Sequence, residues 1–163
     1  PLYERALTIQ EPTLGRQHPS VASSLNNLSE LHRLREDYDT ALPLNAQALS
    51  IWQTVLGPDH PDVATSLNNL AELFRLIGDS ESALPLHERA LVIREEALGS
   101  DHADVAASLN NLACVHQDLG DYTQAIALYE RALTAAQNAL GPDHPDAITI
   151  DSNLTQLRQG TSL

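Results

Sequence analysis

The sequence predicts an all-α fold, an α-solenoid of antiparallel helix pairs with about eight helices. The first observation is a repeat, because the segment SLNNLAEL at 66–73 returns forty-two positions earlier at 24–28 and forty-two positions later at 108–112. Periods of about 20 to 50 residues are typical of solenoids, in which each unit buries its apolar face only against its neighbours. The second observation is that Leu67, Leu70 and Leu73 share one face of a helix.

The composition supports this fold and narrows the class of partner. Apolar residues make up 42% of the chain, enough for a continuous core, and with one Phe and one Trp that core must consist of Leu, Ala, Ile and Val. The formal net charge is −13, and all nine basic residues are Arg. An acidic field repels nucleic acid and anionic membranes, so the sequence predicts a protein or peptide partner of basic or mixed charge.

The cysteine count and hydropathy predict the compartment. The single cysteine, Cys114, cannot form an internal disulfide, which favours a reducing environment. No apolar run approaches the roughly 18 residues of a membrane-spanning helix, and no secretory leader is visible. The sequence therefore predicts a soluble, cytoplasmic protein.

The repeat period predicts one array over residues 1–163. Its parts are a partial repeat with a second helix only, three full repeats, and a partial repeat with a first helix only, at 1–14, 15–56, 57–98, 99–140 and 141–163. Because the chain starts inside a helix and without an initiator Met, we expect it to be a fragment of a longer array.

Glycine and proline mark the helix ends. Glycines at 15, 57, 99 and 141 suit a left-handed residue that terminates the second helices, and prolines at 19, 61 and 145 suit the first position of the next helix. The sequence predicts first helices at about 20–35, 62–77, 104–119 and 146–158, and second helices at about 38–56, 80–98 and 122–140. Pro43 and Pro85 lie inside second helices, where we expect a slight bend or a later start.

At these residues the chain resembles the tetratricopeptide repeat (TPR) family, in the forty-two-residue variety found in kinesin light chains and bacterial signalling proteins. The resemblance depends on the recurring pattern LGPDHPDVATSLNNLAEL, on Gly78-Asp79 and Gly120-Asp121 at the inner turn, and on paired alanines such as Ala83 and Ala90. It implies a right-handed superhelix whose first helices line a concave groove. It also implies protein or peptide binding without catalysis.

Transfer of the family's groove pattern gives the candidate binding residues. They lie on the first helices and are Asn26, Glu30, Arg33, Asn68, Glu72, Arg75, Asn110 and Gln117. The three Asn are expected to form a ladder that pairs with the main chain of an extended peptide. Two alternatives stay open: these Asn bond only to the protein's own helices, and the Arg are neutralised by the Glu one turn away. The adjacent Asn at 27, 69, 111 and 153 are assigned a structural role.

Recurring histidines at 18, 60, 102 and 144 raise the question of a metal site. Copies on successive repeats stand roughly ten ångströms apart if helices pack at normal distances, too far to share one ion. The more common role is a loop histidine that caps a helix. The sequence contains no glycine-rich phosphate loop and no evident nucleophile with a base, so we expect no enzyme activity, no cofactor and no metal.

The predicted function is a scaffold for protein–protein interaction that binds an extended peptide or a partner protein in the groove. The alternative is a self-assembling segment, or a regulatory or sensor segment of a larger multidomain signalling protein. End-to-end self-association follows from the unpaired helices expected at the two ends. Asp151 replaces a core leucine in the last helix, so we expect that helix to be half exposed and the loss of Leu154 to cost less than that of Leu67.

Overall fold

The computed structural model describes residues 2–161, which form eight α-helices and no strand. The helices are α1 Leu2–Leu14, α2 Pro19–Arg33, α3 Tyr38–Leu56, α4 Pro61–Leu76, α5 Ser80–Leu98, α6 Ala103–Asp118, α7 Tyr122–Leu140 and α8 Pro145–Thr161. The even-numbered helices are the predicted first helices, and the odd-numbered ones are the predicted second helices. Within each unit, short turns join neighbouring helices into antiparallel pairs such as α2–α3 and α6–α7. The predicted all-α class is confirmed.

Loop histidines start the first helices. The Nδ1 atoms of His18, His60 and His102 accept hydrogen bonds of 3.1 Å from the backbone N–H groups two residues later, and His144 accepts one of 3.2 Å from Asp146. An N-terminal backbone N–H of a helix has no acceptor inside the helix, so these side chains stabilise the helix starts. The predicted capping role of the loop histidines is confirmed.

Aspartates start the second helices. Carboxylates of Asp37, Asp79 and Asp121 accept from the backbone N–H groups three residues later, at 3.3, 3.0 and 3.2 Å. The bounds of α3, α5 and α7 are those predicted. The expected late start at Pro43 and Pro85 is wrong, because α3 and α5 begin at the same repeat position as α7, which has alanine there. The Asp cap fixes the first turn ahead of each proline, and both prolines are exposed at the helix surface.

Glycines end the second helices, though in a conformation different from the one predicted. Gly57 has φ 90° and ψ 162°, and Gly99 has φ 82° and ψ 160°. The left-handed helical region would require ψ near about +47°. The observed values lie in the region that is essentially restricted to glycine, in which the chain leaves the helix extended. An extended exit carries the chain to the next helix within four residues.

The chain consists of two compact units, Pro1–Gly78 and Asp79–Leu163. In the first unit α2 packs against α1, α3 and α4. Its buried cluster joins the apolar sides of α2 and α3, with Leu7, Leu44 and Trp52 packed around it, and contains Val21, Ala22, Leu25, Ala48 and Ile51. These are the small and branched residues that the composition predicts.

In the second unit α6 packs against α5 and α7, and α7 packs against α8. The larger buried cluster there extends from Leu91 on α5 to Leu157 on α8 and includes Leu109, Leu112 and Tyr129. No helix among residues 2–161 is long and apolar enough to cross a membrane.

The last helix buries one apolar side and exposes the other. Leu154 is only 3% exposed, and Ala147, Ile150 and Leu157 are buried beside it. Most other residues of α8 are exposed, in keeping with the prediction of a half-exposed last helix, while Leu154 itself is buried. Asp151 lies on a different, exposed side of α8 together with Ile148. Its charge faces solvent and does not weaken the contact with α7.

Candidate functional site

The candidate residues lie on exposed or half-buried sides of the first helices. We call the surface formed by α2 and α4 in the first unit the α2–α4 face. The corresponding surface in the second unit is the α6–α8 face. The α2–α4 face carries six of the eight predicted residues, namely Asn26, Glu30, Arg33, Asn68, Glu72 and Arg75, and the α6–α8 face carries Asn110 and Gln117. Each face is described separately.

Asn26 joins three helices of the first unit. Its Oδ1 accepts one hydrogen bond from Nδ2 of Asn45 on α3 at 3.1 Å and another from Nδ2 of Asn69 on α4 at 3.0 Å. Asn45 is 1% exposed, and its own Oδ1 has no partner among residues 2–161. A buried N–H group without an acceptor costs free energy. By accepting from Nδ2 of the buried Asn45, Asn26 therefore stabilises the fold, whatever else it binds.

Asn110 repeats the bridge in the second unit. Its Oδ1 accepts from Nδ2 of Asn153 on α8 at 3.2 Å, and its Nδ2 lies 3.5 Å from Oδ1 of Asn111. Both bridges join the first Asn of an NN pair to the Asn 43 residues later, which is preceded by Asn68 on α4 and by Ser152 on α8. This arrangement agrees with the structural role assigned to Asn69 and Asn153.

The third Asn of the predicted ladder is more buried than its counterparts. Asn68 is 6% exposed, whereas Asn26 and Asn110 are half-buried. The sequence predicted one face for all three, because a fixed period places them at the same position on each helix. An Asn side chain offers two N–H donors and two acceptor lone pairs. The bridges use Oδ1 of Asn26 and Oδ1 of Asn110, and the contact with Asn111 uses one N–H of Asn110.

Two ion pairs lie along the α2–α4 face. The guanidinium of Arg33 donates to both carboxylate oxygens of Glu30 at 2.7 and 2.6 Å, and Arg75 donates to Glu72 at 2.8 and 2.9 Å. The hydrogen bond to Glu30 raises the pKa of Arg33, and the nearby charge of Glu72 raises it further. Bidentate pairing fixes the guanidinium planes and makes this surface locally neutral.

The second unit has no ion pair at these positions. Cys114 and Gln117 stand forty-two residues after Glu72 and Arg75. The hydroxyl of Tyr129, a fully buried residue on α7, lies 3.1 Å from Sγ of Cys114 and donates to Oε1 of Gln117 at 3.3 Å. Gln117 is thus held by a buried tyrosine and remains exposed at the surface.

A histidine and an aspartate close the hairpin turn between α2 and α3. Nδ1 of His32 lies 2.8 Å from Oδ2 of Asp37, whose backbone N–H donates to the carbonyl of His32. The His32 hydrogen bond, together with those from Thr40, holds the pKa of Asp37 below its usual value. His116 and Asp121 form the same contact at 3.5 Å between α6 and α7. Sequence reasoning missed these contacts, although both His–Asp pairs have a spacing of five residues.

The titratable side chains do not form a metal site in the described part of the chain. Within residues 2–161, no three His, Cys, Asp or Glu side chains are placed to hold a metal ion. The recurring histidines instead use Nδ1 for their helix caps. What the two faces offer chemically is amide, carboxylate and guanidinium groups, which form hydrogen bonds with other polypeptides.

One family model matches four overlapping segments of the chain, which together extend over residues 1–161. The tetratricopeptide repeat model matches residues 1–51, 21–96, 77–135 and 104–161. The chain belongs to the tetratricopeptide repeat family. The resemblance inferred from the repeat motif is confirmed, and TPR folds are typically scaffolds without enzyme activity. No curated protein sequence matches this chain.

Solved structures agree with the kinesin-light-chain variety. The crystal structure of kinesin light chain nearly identical TPR-like repeats from Podosopora anserina is 27% identical, with a TM-score of 0.83, over 99% of this chain and 76% of that one. BtubC (BKLC) from P. vanneervenii is 28% identical, with a TM-score of 0.87, and this chain spans 64% of its length. The Sgt2 TPR domain from Aspergillus fumigatus, at 23% identity and a TM-score of 0.65, shares the fold.

Proposed function

We propose that this TPR protein is a scaffold that binds extended peptide segments of partner proteins on the first-helix faces of its two units. The observation that carries the proposal is the set of polar side chains on the α2–α4 face. The apolar cluster of that unit does not include them, and all of them except the buried Asn68 remain half exposed. No acceptor for Nδ2 of Asn26 is found in the described part of the chain, so that amide can donate to a peptide carbonyl.

The negative net charge of the protein favours partners of basic or mixed charge. The net charge is −13, and the α2–α4 face pairs each of its arginines with a glutamate, so an acidic peptide would meet no free positive charge there. A basic or mixed-charge peptide is attracted by the surrounding field instead. The same field disfavours nucleic acid and anionic membranes.

This function involves no catalysis by the chain. The groups on the two faces can recognise a polypeptide, but they do not place a nucleophile beside a base and an orienting group. We propose a cytoplasmic location, in keeping with a single, half-buried cysteine.

The test uses peptides selected from a random twelve-residue library by the immobilised full chain. We expect the selected peptides to be enriched in Arg and Lys, and Glu72→Gln to weaken their binding several-fold by removing a negative charge from the α2–α4 face. Asn27→Ala, an exposed change one residue from Asn26, is the matched control and should bind as the parent does. Absence of any enriched sequence, or equal binding by Glu72→Gln, would contradict the proposal.

A second proposal is self-association through α1 and α8. On α1 the side chains of Leu2 and Ile9 are 81% and 63% exposed, and Ile148 on α8 is 57% exposed. Contact between these surfaces in two molecules would bury apolar area, while the net charge of −13 opposes it. We expect the mass measured by light scattering to grow with protein concentration and with added salt. A constant monomer mass under all conditions would contradict this proposal.

A further inference from the structure

A cavity of about 160 Å³ opens on the α6–α8 face, within the second unit. Its apolar wall contains Ala106 on α6, Ala136 near the end of α7 and Ile150 on α8. Polar groups of Asn110, Asp146 and Thr149 lie on its more exposed side. The cavity therefore combines an apolar interior with a polar entrance on the surface that we propose for peptide binding, the arrangement typical of ligand sites.

The chain fills the corresponding position differently in its other repeats. Ala136 stands where α3 carries Trp52 and α5 carries Arg94. Trp52 packs against the buried cluster of the first unit, and Arg94 donates to the backbone carbonyl of Asp104 at 3.1 Å and to Oγ of Ser108 at 2.9 Å. In both earlier repeats the chain's own long side chain occupies this position. The short side chain of Ala136 leaves space there for a side chain from outside.

The cavity wall decides which kind of side chain fits. Ile150 stands where the repeat pattern elsewhere has Ser66 and Ser108, so the hydroxyl that accepts from Arg94 has no counterpart here. A guanidinium placed against Ile150 would lack the hydroxyl acceptor that Ser108 provides for Arg94, and part of it would face an apolar side chain, which is costly. An aromatic ring has no such need, and apolar cavities of about 150 Å³ bind benzene.

A negative charge at the cavity entrance favours a positively charged residue in the bound peptide. Asp146 is exposed in the first turn of α8, and its carboxylate lies at the edge of the cavity. A cationic residue next to the aromatic one in the peptide would lie beside this carboxylate. Because an exposed ion pair contributes little, the ring supplies most of the affinity and the cation adds a preference.

We propose that this cavity is a specificity subsite, which takes the aromatic side chain of a bound peptide with a cationic residue of the same peptide against Asp146. The inference rests on the proposed function, because it assigns one subsite within the α6–α8 face. It predicts a pattern of an aromatic residue beside a basic residue in the peptides that this unit binds.

The probe is the blocked tetrapeptide Gly-Phe-Arg-Gly, added to the full chain with ¹³C-labelled alanine methyl groups. We expect saturable shifts at Ala106 and Ala136. Replacing Phe by Ala in the peptide should weaken binding at least tenfold, since a buried Phe side chain contributes about 1.5–3 kcal/mol. Replacing Arg by Glu should weaken binding a few-fold, and Asp146→Asn should remove that difference.

Variants of the protein locate the subsite. Ala107→Phe adds a ring at an exposed position on the cavity lining and should abolish the shifts, as should Thr149→Phe on the opposite helix. Ser23→Phe, the same exposed position on α2, is the matched control and should leave the shifts unchanged. Circular dichroism confirms that each variant is folded.

Two results would overturn the inference. One is the absence of saturable shifts at about 10 mM peptide, far above the range expected for a specific small ligand. The other is a Phe peptide that binds no better than the Ala peptide. If library peptides still lose affinity in Glu72→Gln but the tetrapeptide gives no saturable shifts, the proposed function stands and the aromatic subsite is wrong.

Discussion

The α2–α4 face and the α6–α8 face share one backbone register and differ in chemistry. Each contains an Asn bridge between residues 43 apart, Asn26 to Asn69 and Asn110 to Asn153. Beside the first bridge lies the pair of Glu30 and Arg33. At the same positions on α6 stand Cys114 and Gln117, which are uncharged.

The difference extends into the second helices that support each face. Asn45 on α3 and Tyr129 on α7 occupy the same repeat position, and both are 1% exposed. Asn45 donates to Asn26, whereas the longer Tyr129 reaches Gln117 and Cys114. The two units therefore differ both in the buried polar residue, Asn45 or Tyr129, and in the residue on the face that forms a hydrogen bond with it. The apolar positions preserve the fold, while these polar pairs set the character of each face.

The largest predicted effect concerns the apolar positions, which should be equivalent in the two units. Leu67 and Leu109 are 1% and 2% exposed, and replacing either by Ala should cost about 2–5 kcal/mol because a cavity is left. Urea denaturation measures the loss. Leu34→Ala, at a position that is 67% exposed, is the control and should change stability by less than about 0.5 kcal/mol.

Leu154→Ala extends this comparison to the last helix. Its burial predicts a loss in the same range as that of Leu109→Ala. A loss below about 1 kcal/mol would show that α8 separates locally from α7 before the rest of the unit unfolds.

The next effect distinguishes the two Asn bridges. Asn26→Ala removes the acceptor of two donors, on Asn45 and Asn69, and should cost about 1–3 kcal/mol because Asn45 is buried. Asn110→Ala removes the acceptor of one donor on Asn153 and should cost less. Asn27→Ala, exposed on α2, is the control for loss of an Asn from the same helix. Equal losses at Asn26 and Asn110 would show that the contact with Asn45 contributes nothing.

These bridges also show what a repeat pattern cannot predict. Helix ends follow from local residues, and therefore α3, α5 and α7 begin after the Asp and end before the Gly at the predicted positions. The period also identifies equivalent positions on each helix. It contains no information on how far one helix is rotated relative to the next, and that rotation brings the first Asn of an NN pair to the Asn 43 residues later. The pairing of the Asn residues therefore required the structure, whereas the pairing of each Arg with the Glu one turn away was an alternative that the sequence offered.

A smaller effect concerns the hairpin turns. Glu36 has φ 60°, a conformation unfavourable for residues with a side chain, while the equivalent residue before α7 is Gly120 with φ 79°. We expect Glu36→Gly to stabilise the protein by roughly 0.5–1 kcal/mol, measured from urea midpoints. Gly120→Ala should destabilise it by about 1 kcal/mol, although its added methyl group would meet no atom within 4 Å. If both variants are neutral, backbone strain does not distinguish the two turns.

The smallest predicted effect concerns the pKa of Asp37 in the turn before α3, compared with that of Asp79 in the turn before α5. Both Asp37 and Asp79 have a lowered pKa, but the first cause for Asp37 is His32, whereas for Asp79 it is Ser82. A carboxyl whose folded pKa lies below its ordinary value of 3.8 stabilises the fold above that pH. This stability is lost as the pH falls through the ordinary value towards the folded pKa.

His32→Phe tests whether the hydrogen bond from His32 lowers the pKa of Asp37. Phe is a suitable replacement because Phe74 occupies the same repeat position on α4. We expect the pKa of Asp37, followed by carboxyl ¹³C NMR, to rise towards the ordinary value and to remain below it, because the hydrogen bonds from Thr40 persist. The loss of stability between about pH 5 and pH 3 should become shallower in this variant. Ser82→Ala is the matched change for Asp79 and should leave the titration of Asp37 as it is. An unchanged Asp37 titration in His32→Phe would mean that the cap, and not the histidine, holds the carboxylate.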